Sequence, residues 1–126
     1  MIILDTDILI EIFDKESKKG EDALQKILNS NENISTTTIN LHEILYGLQK
    51  YAKPAHEILQ LPIINYTKTD ANLSAKIELD TERKGTPIRR TDTMIAAITI
   101  NNSASLYTLD QKHFQPLTTI GLKIFS

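Results

Sequence analysis

The sequence predicts an α/β fold with a mainly parallel central sheet. Short apolar runs that read as buried strands alternate with segments of helical spacing over all 126 residues. Two of these runs, Ile2-Ile3-Leu4 and Leu106 to Leu109, pass directly into an acid, Asp5 and Asp110. Glycine and proline are sparse, four of each, and no repeat or low-complexity tract divides the chain, so one domain over residues 1–126 is expected.

Taken in order, Ile2-Ile3-Leu4 is the first strand. Ile8, Leu9, Ile12 and Phe13 follow at helical spacing, and residues 20–29 make a second helix around Ala23, Leu24, Ile27 and Leu28. Ile34 to Thr37 is β-prone and rich in hydroxyls. Leu41, Ile44, Leu45, Leu48 and Tyr51 form the stripe of an amphipathic helix, with Thr37 or Thr38 placed to cap it. Pro54 opens a short helix and Leu61 to Tyr66 reads as a strand. Over 70–84, Asp70 is the expected N-cap, Gly85 the residue past the helix end, and Pro87 the stop. Another helix begins near Thr91 or Asp92 and runs to about Asn101. Leu106 to Leu109 is a buried strand, and Leu122 to Phe125 closes the sheet.

Composition removes several function classes. Fourteen basic residues against sixteen acidic give a net charge of −2, so bulk positive charge does not bind a nucleic acid here. A polyanion would need a local basic patch or bound cations. There is no cysteine, which excludes disulfides, thiolate chemistry and Cys-type zinc sites. No apolar run approaches the roughly 18 residues of a membrane span. The opening Met1-Ile2-Ile3-Leu4-Asp5 lacks the basic region of a signal peptide, so a cytoplasmic location is expected.

The acids fall where a parallel sheet binds ligands. Asp5 and Asp110 each follow a strand, Asp92 opens a helix, and Glu43 lies one or two turns into the helix after the second strand. Crowded carboxylates repel and raise each other's pKa unless a cation joins them. Hard oxygen donors of this kind suit Mg²⁺ or Mn²⁺. Each acid also has an ordinary role. Asp5 is a natural helix cap, with Asp7 competing for that position or standing behind the site. Asp92 suits the helix dipole, and Asp110 is a common turn residue. Glu43 sits about 150° around its helix from the apolar stripe, which reads as solvent. Yet Ile39, Tyr46 and Gly47 share that second face, and Gly47 leaves room for a bulky ligand one turn beyond Glu43.

In these segments the chain resembles the PIN-domain ribonucleases, in particular the VapC toxins of toxin–antitoxin pairs. The resemblance runs from Ile2 to Phe125. It rests on Leu4-Asp5-Thr6-Asp7-Ile8-Leu9, on Thr38-Ile39-Asn40-Leu41-His42-Glu43-Ile44-Leu45-Tyr46-Gly47, and on Gly85-Thr86-Pro87-Ile88 leading to Asp92-Thr93-Met94-Ile95-Ala96-Ala97. The last element is Leu106-Tyr107-Thr108-Leu109-Asp110 followed by His113-Phe114. It implies a three-layer α/β/α sandwich and a metal-dependent endoribonuclease. Asp5, Glu43, Asp92 and Asp110 match the family's acidic quartet, and so stand as the implied catalytic and Mg²⁺- or Mn²⁺-binding residues. Thr6 and Thr108 match supporting positions. Asp7 stands where the family more often has Asn or Ser. The implied reaction hydrolyses RNA phosphodiesters in line and leaves 5′-phosphate and 3′-hydroxyl ends.

The cluster Arg83, Lys84, Arg89 and Arg90 is the best source of phosphate contacts, although such a run is equally a solvated loop. Lys112 and the ring of Tyr46 are weaker contributors. His42, His56 and His113 read as surface or packing residues. The family context implies a small antitoxin covering the carboxylate crevice. Ile8, Ile12 and Phe13, with parts of the Leu41–Tyr51 helix, read as core or as a face for that partner or for a homodimer. Two other readings compete. A PIN-like module could bind RNA or a partner without cutting. Asp5-Thr6-Asp7 also fits the paired acids of a haloacid-dehalogenase-type phosphatase, but Ile8-Leu9 replace its small and hydroxyl residues and no phosphate-binding lysine motif follows.

Overall fold

The computed structural model describes all 126 residues. Its elements are β1 (Ile2–Leu4), α1 (Thr6–Leu9) running on into a π-helical stretch at Ile10–Asp14, α2 (Lys18–Ser30), β2 (Ile34–Thr37) and α3 (Thr38–Lys50). A 3₁₀ turn at Ile58–Gln60 precedes β3 (Ile63–Ile64), α4 (Lys68–Arg83) and α5 (Arg90–Asn101). The chain finishes with β4 (Ser105–Tyr107), α6 (Gln111–Phe114), a 3₁₀ stretch at Gln115–Ile120 and β5 (Lys123–Ile124). The strands form one sheet in the order β3-β2-β1-β4-β5, and every pairing is parallel.

The period of two along β1 explains the layers. Ile3 joins Ile95, Ile98, Leu106, Phe114 and Leu117 in a core under α4 and α5. Ile2 and Leu4 point the other way, into a second core with Ile8, Leu9, Ala23, Ile27, Ile44 and Leu48 under α1, α2 and α3. The result is the α/β/α arrangement expected. Each fully buried β1 side chain contributes at most about 1.5–3 kcal/mol. No helix is long and apolar enough to cross a membrane.

Several boundaries differ from the sequence expectation for local reasons. Thr67, not Asp70, caps α4: its hydroxyl accepts from the Asp70 amide at 3.2 Å, while Asp70 Oδ2 accepts from the Thr67 amide at 2.9 Å. Asp70 is buried inside that box, where Asn101 Nδ2 also donates to it at 2.8 Å and ties the start of α4 to the end of α5. Pro54 opens no helix. Ala52 adopts a left-handed φ of 54°, and between Pro54 and Leu61 only Ile58 is buried, so no apolar stripe supports a longer helix. The strand over 61–66 shortens to Ile63–Ile64, because β3 is an edge strand paired on one side. Ile8 is wholly core rather than part of an exposed partner face, whereas Ile12 and Phe13 are only half-buried against that core.

Two glycines behave oppositely. A Cβ on Gly20 would overlap the backbone carbonyl of Glu11, so α2 packs on the π-helical stretch through this residue. A Cβ on Gly47 would meet nothing within 4 Å. Gly20→Ala is therefore expected to cost about 1–3 kcal/mol despite its better helix propensity. Gly47→Ala should gain about 0.5–1 kcal/mol. Urea denaturation of the two variants checks this, and equal signs would contradict the close approach of α2.

Candidate active site

β1 and β4 lie side by side at the centre of the sheet, and the chain continues from them towards opposite edges. A crevice opens beyond the carboxyl ends of strands at such a point. Here it is a cleft of about 230 Å³ lined by Asp5, Thr6, Asp7, Glu43, Asp92 and Asp110, together with Arg89, His113, Ile10 and Phe114. The four acids singled out from separate stretches of sequence thus share one cleft with Asp7 and Thr6.

Each acid is placed by a local feature. Asp5 follows β1 and caps α1, its Oδ1 accepting from the Thr6 amide at 2.8 Å. Its ordinary role and its place in the cleft are therefore the same position. Asp7 is not the cap. Its Oδ2 instead accepts from the Leu109 amide at 3.1 Å and from the Thr108 hydroxyl at 3.2 Å. Thr108 and Leu109 leave the ladder to make these bonds, which ends β4 at Tyr107. Asp92 lies in the first turn of α5 and is only 4% exposed. Glu43, half-buried on α3, accepts from the Thr6 hydroxyl at 2.8 Å. Asp110 is exposed, and its amide donates to Thr108 Oγ1 at 3.1 Å.

Behind the carboxylates stands a layer of polar side chains. Thr108 donates to Asp5 Oδ2 at 2.7 Å. Asn40, wholly buried, donates from Nδ2 to Asp5 Oδ1 and to Thr6 Oγ1, both at 3.0 Å. Its own Oδ1 accepts from the Thr37 hydroxyl at 2.7 Å. Sequence reasoning missed Asn40 and misread His113, whose Nε2 lies 2.9 Å from Asp92 Oδ2. Spacing alone held a clue to both. Asn40 precedes Glu43 by one helical turn, and His113 follows Asp110 by one.

The basic cluster splits. Arg89 donates from Nε to Asp92 Oδ2 at 3.1 Å and lines the cleft. Arg90 is engaged by Glu78 at 2.9 Å and Lys84 by Asp80 at 2.9 Å, and Arg83 lines a different hollow on α4. Tyr46 is exposed.

Burial first, and then the negative charge of Asp7, push the Asp5 carboxyl up to about 6. Asp7 is raised as well, chiefly by burial. Its Oδ1 is buried with no hydrogen-bond partner. The donor set is all hard oxygen, which fits a divalent cation of the Mg²⁺ or Mn²⁺ kind. As the side chains stand, no three acidic or histidine groups converge closely enough to hold one ion. Arg89 and His113 both engage Asp92 as it stands.

A crevice of clustered carboxylates on a five-stranded parallel sheet defines a class, and comparison narrows it to a family. The PIN domain family model matches residues 2–116, and the chain belongs to that family. Its fold matches solved structures of toxin–antitoxin systems. VapBC2 from Rickettsia felis, bound to a DNA fragment from its promoter, superposes with a TM-score of 0.80 at 25% identity, covering 100% of both chains. DNA-bound VapBC from Salmonella typhimurium gives 0.77 at 23% identity, over 98% of this chain and 96% of that one. VapBC-1 from nontypeable Haemophilus influenzae gives 0.76 at 23%, over 100% and 98%. No curated protein matches the sequence significantly.

Two outcomes follow. Asn40→Ala removes donors to Asp5 and Thr6 and should destabilise the protein by about 1–3 kcal/mol in urea denaturation. Asp5 holds its proton more tightly folded, at about 6, than at its ordinary 3.8, so its stabilising contribution is full at low pH and is lost as pH rises through 6. Wild type should therefore lose on the order of 2–3 kcal/mol relative to Asp5→Asn between about pH 4 and pH 7. A flat difference over that range would contradict the burial of Asp5 beside Asp7.

Proposed function

We propose that this chain, acting as one PIN domain over residues 1–126, is a metal-dependent endoribonuclease and the toxin of a toxin–antitoxin pair. The reading is carried by the convergence of Asp5, Glu43, Asp92 and Asp110 on one cleft at the centre of the parallel sheet. Family membership supports it, since PIN domains are typically nucleases and metal-dependent. The unpartnered Asp7 Oδ1 and the raised carboxyl of Asp5 support a cation in the cleft.

Asp5, Glu43, Asp92 and Asp110 are the residues assigned to hold Mg²⁺ or Mn²⁺, which when bound neutralises phosphodiester charge and acidifies the attacking water. Thr6 keeps Glu43 aimed at the cleft, and Thr108 does the same for Asp5 and Asp7. Asn40 locks Thr6 and Asp5 to one another, so their positions are fixed before any substrate arrives. Arg89, alone of the basic cluster, stands where it can contact a phosphate of the RNA. Resemblance to the PIN-domain ribonucleases implies that hydrolysis leaves 5′-phosphate and 3′-hydroxyl ends. The toxin–antitoxin complexes among the matching structures support a small antitoxin that covers the cleft. A homodimer and a cytoplasmic location belong to the same reading.

Purified protein incubated with a mixed RNA pool is expected to cut with Mg²⁺ or Mn²⁺ and to stop with EDTA. Asp92→Asn and Glu43→Gln should each lower the rate by about 100-fold or more. RNA retention without cutting would favour a binding module. Activity confined to small phosphomonoesters would favour the phosphatase chemistry suggested by Asp5-Thr6-Asp7.

A further inference from the structure

The most buried acid of the cleft already has partners on both oxygens. Arg89 donates from Nε to Asp92 Oδ2 at 3.1 Å and from Nη2 to Oδ1 at 3.5 Å, and His113 Nε2 lies 2.9 Å from Oδ2. The two partners differ in freedom. His113 is held in α6 with its ring edge-on to Phe114. The Arg89 side chain is 74% exposed against 6% for Asp92, and Asp92 supplies all of its hydrogen bonds. The adjacent arginine is a built-in contrast. Arg90 is clasped by both oxygens of Glu78, at 2.9–3.3 Å, away from the cleft.

A guanidinium and a divalent ion need the same oxygens of Asp92, and their like charges repel at that distance. We propose that they exchange. When the ion takes Asp92, Arg89 is released to the cleft mouth, where its planar fork binds a phosphate of the RNA strand. The inference rests on the metal-nuclease reading and adds to it a coupling between ion and substrate. Two features make the exchange workable. The displaced charge stays tethered beside the cleft, because Arg89 is the N-cap residue of α5, three positions before Asp92. The fork that matches a carboxylate also matches a phosphate, which a lysine ammonium does not do in two-pronged fashion. With no ion bound, the same guanidinium offsets part of the repulsion among five acids.

The coupling predicts opposite signs for one substitution. In isothermal titration with Mn²⁺ alone, Arg89→Ala should bind the ion roughly tenfold more tightly than wild type. In steady-state cleavage of single-stranded RNA its KM should rise roughly tenfold. Arg89→Lys should fall between in both measurements. Lys123→Ala, which removes a charge on β5 at the opposite end of the sheet from the cleft, should change neither. In wild type the Arg89 Nε–Hε resonance should move on titration with Mg²⁺, while that of Arg90 stays in place. Circular dichroism confirms that the variants are folded. Unchanged or weaker Mn²⁺ affinity in Arg89→Ala, with wild type still binding and cutting, overturns the exchange and leaves the nuclease reading intact. Tighter Mn²⁺ with an unchanged KM overturns the delivery of Arg89 to phosphate. A wild type that binds no Mn²⁺ and cuts no RNA overturns both.

Discussion

Negative charge held against apolar strand ends is the constraint on which this structure turns. A carboxylate drawn out of water needs donors, and a second one nearby raises the cost for both. The chain answers with donors from separate elements. Asp5 receives the Thr6 amide, Asn40 and Thr108; Asp7 receives Leu109 and Thr108; Glu43 receives Thr6; Asp92 receives Arg89. No single segment supplies more than part of this set, so the cleft exists only when β1, α3, α5 and the turn after β4 are all in register.

The same interactions also build the helices. Thr37 accepts from the Asn40 amide, which starts α3, and its hydroxyl donates to Asn40 Oδ1, which aims that side chain at Asp5 and Thr6. Helix initiation and site orientation thus share one hydroxyl. Thr36 donates to the Leu4 carbonyl at 2.7 Å and fastens β2 to the end of β1 immediately before Asp5. Polar residues sit in the middle of the fold because a site there requires them, and two apolar cores on either side of the sheet make up the stability they forgo.

Much of this was legible along the chain. Apolar runs ending in Asp5 and Asp110 marked strand ends at a binding edge, and Asp92 at a helix start completed a line of acids. Glu43 was legible only because Ile39, Tyr46 and Gly47 made its face unlike a solvated one. Asn40 was hidden, since an asparagine near a helix start reads as polar filler until its face is counted against Glu43. The division of Arg89 from Arg90 could not be read, because neighbours at a helix start point about 100° apart, and while Arg89 meets Asp92 one turn on in α5, the partner of Arg90 is Glu78 on α4. The partners of Asp7 lie at the other end of the sequence, beyond the reach of any local pattern.

The bond from Thr108 to Asp5 spans 103 residues. The central strand is therefore made well before β4, and its acid waits through that whole separation before it meets the neighbour that steadies it. A chain still emerging from the ribosome carries no finished cleft until the segment beyond Asp110 is free. Vectorial synthesis alone delays completion of this pocket until β4 and the turn after it have followed β1.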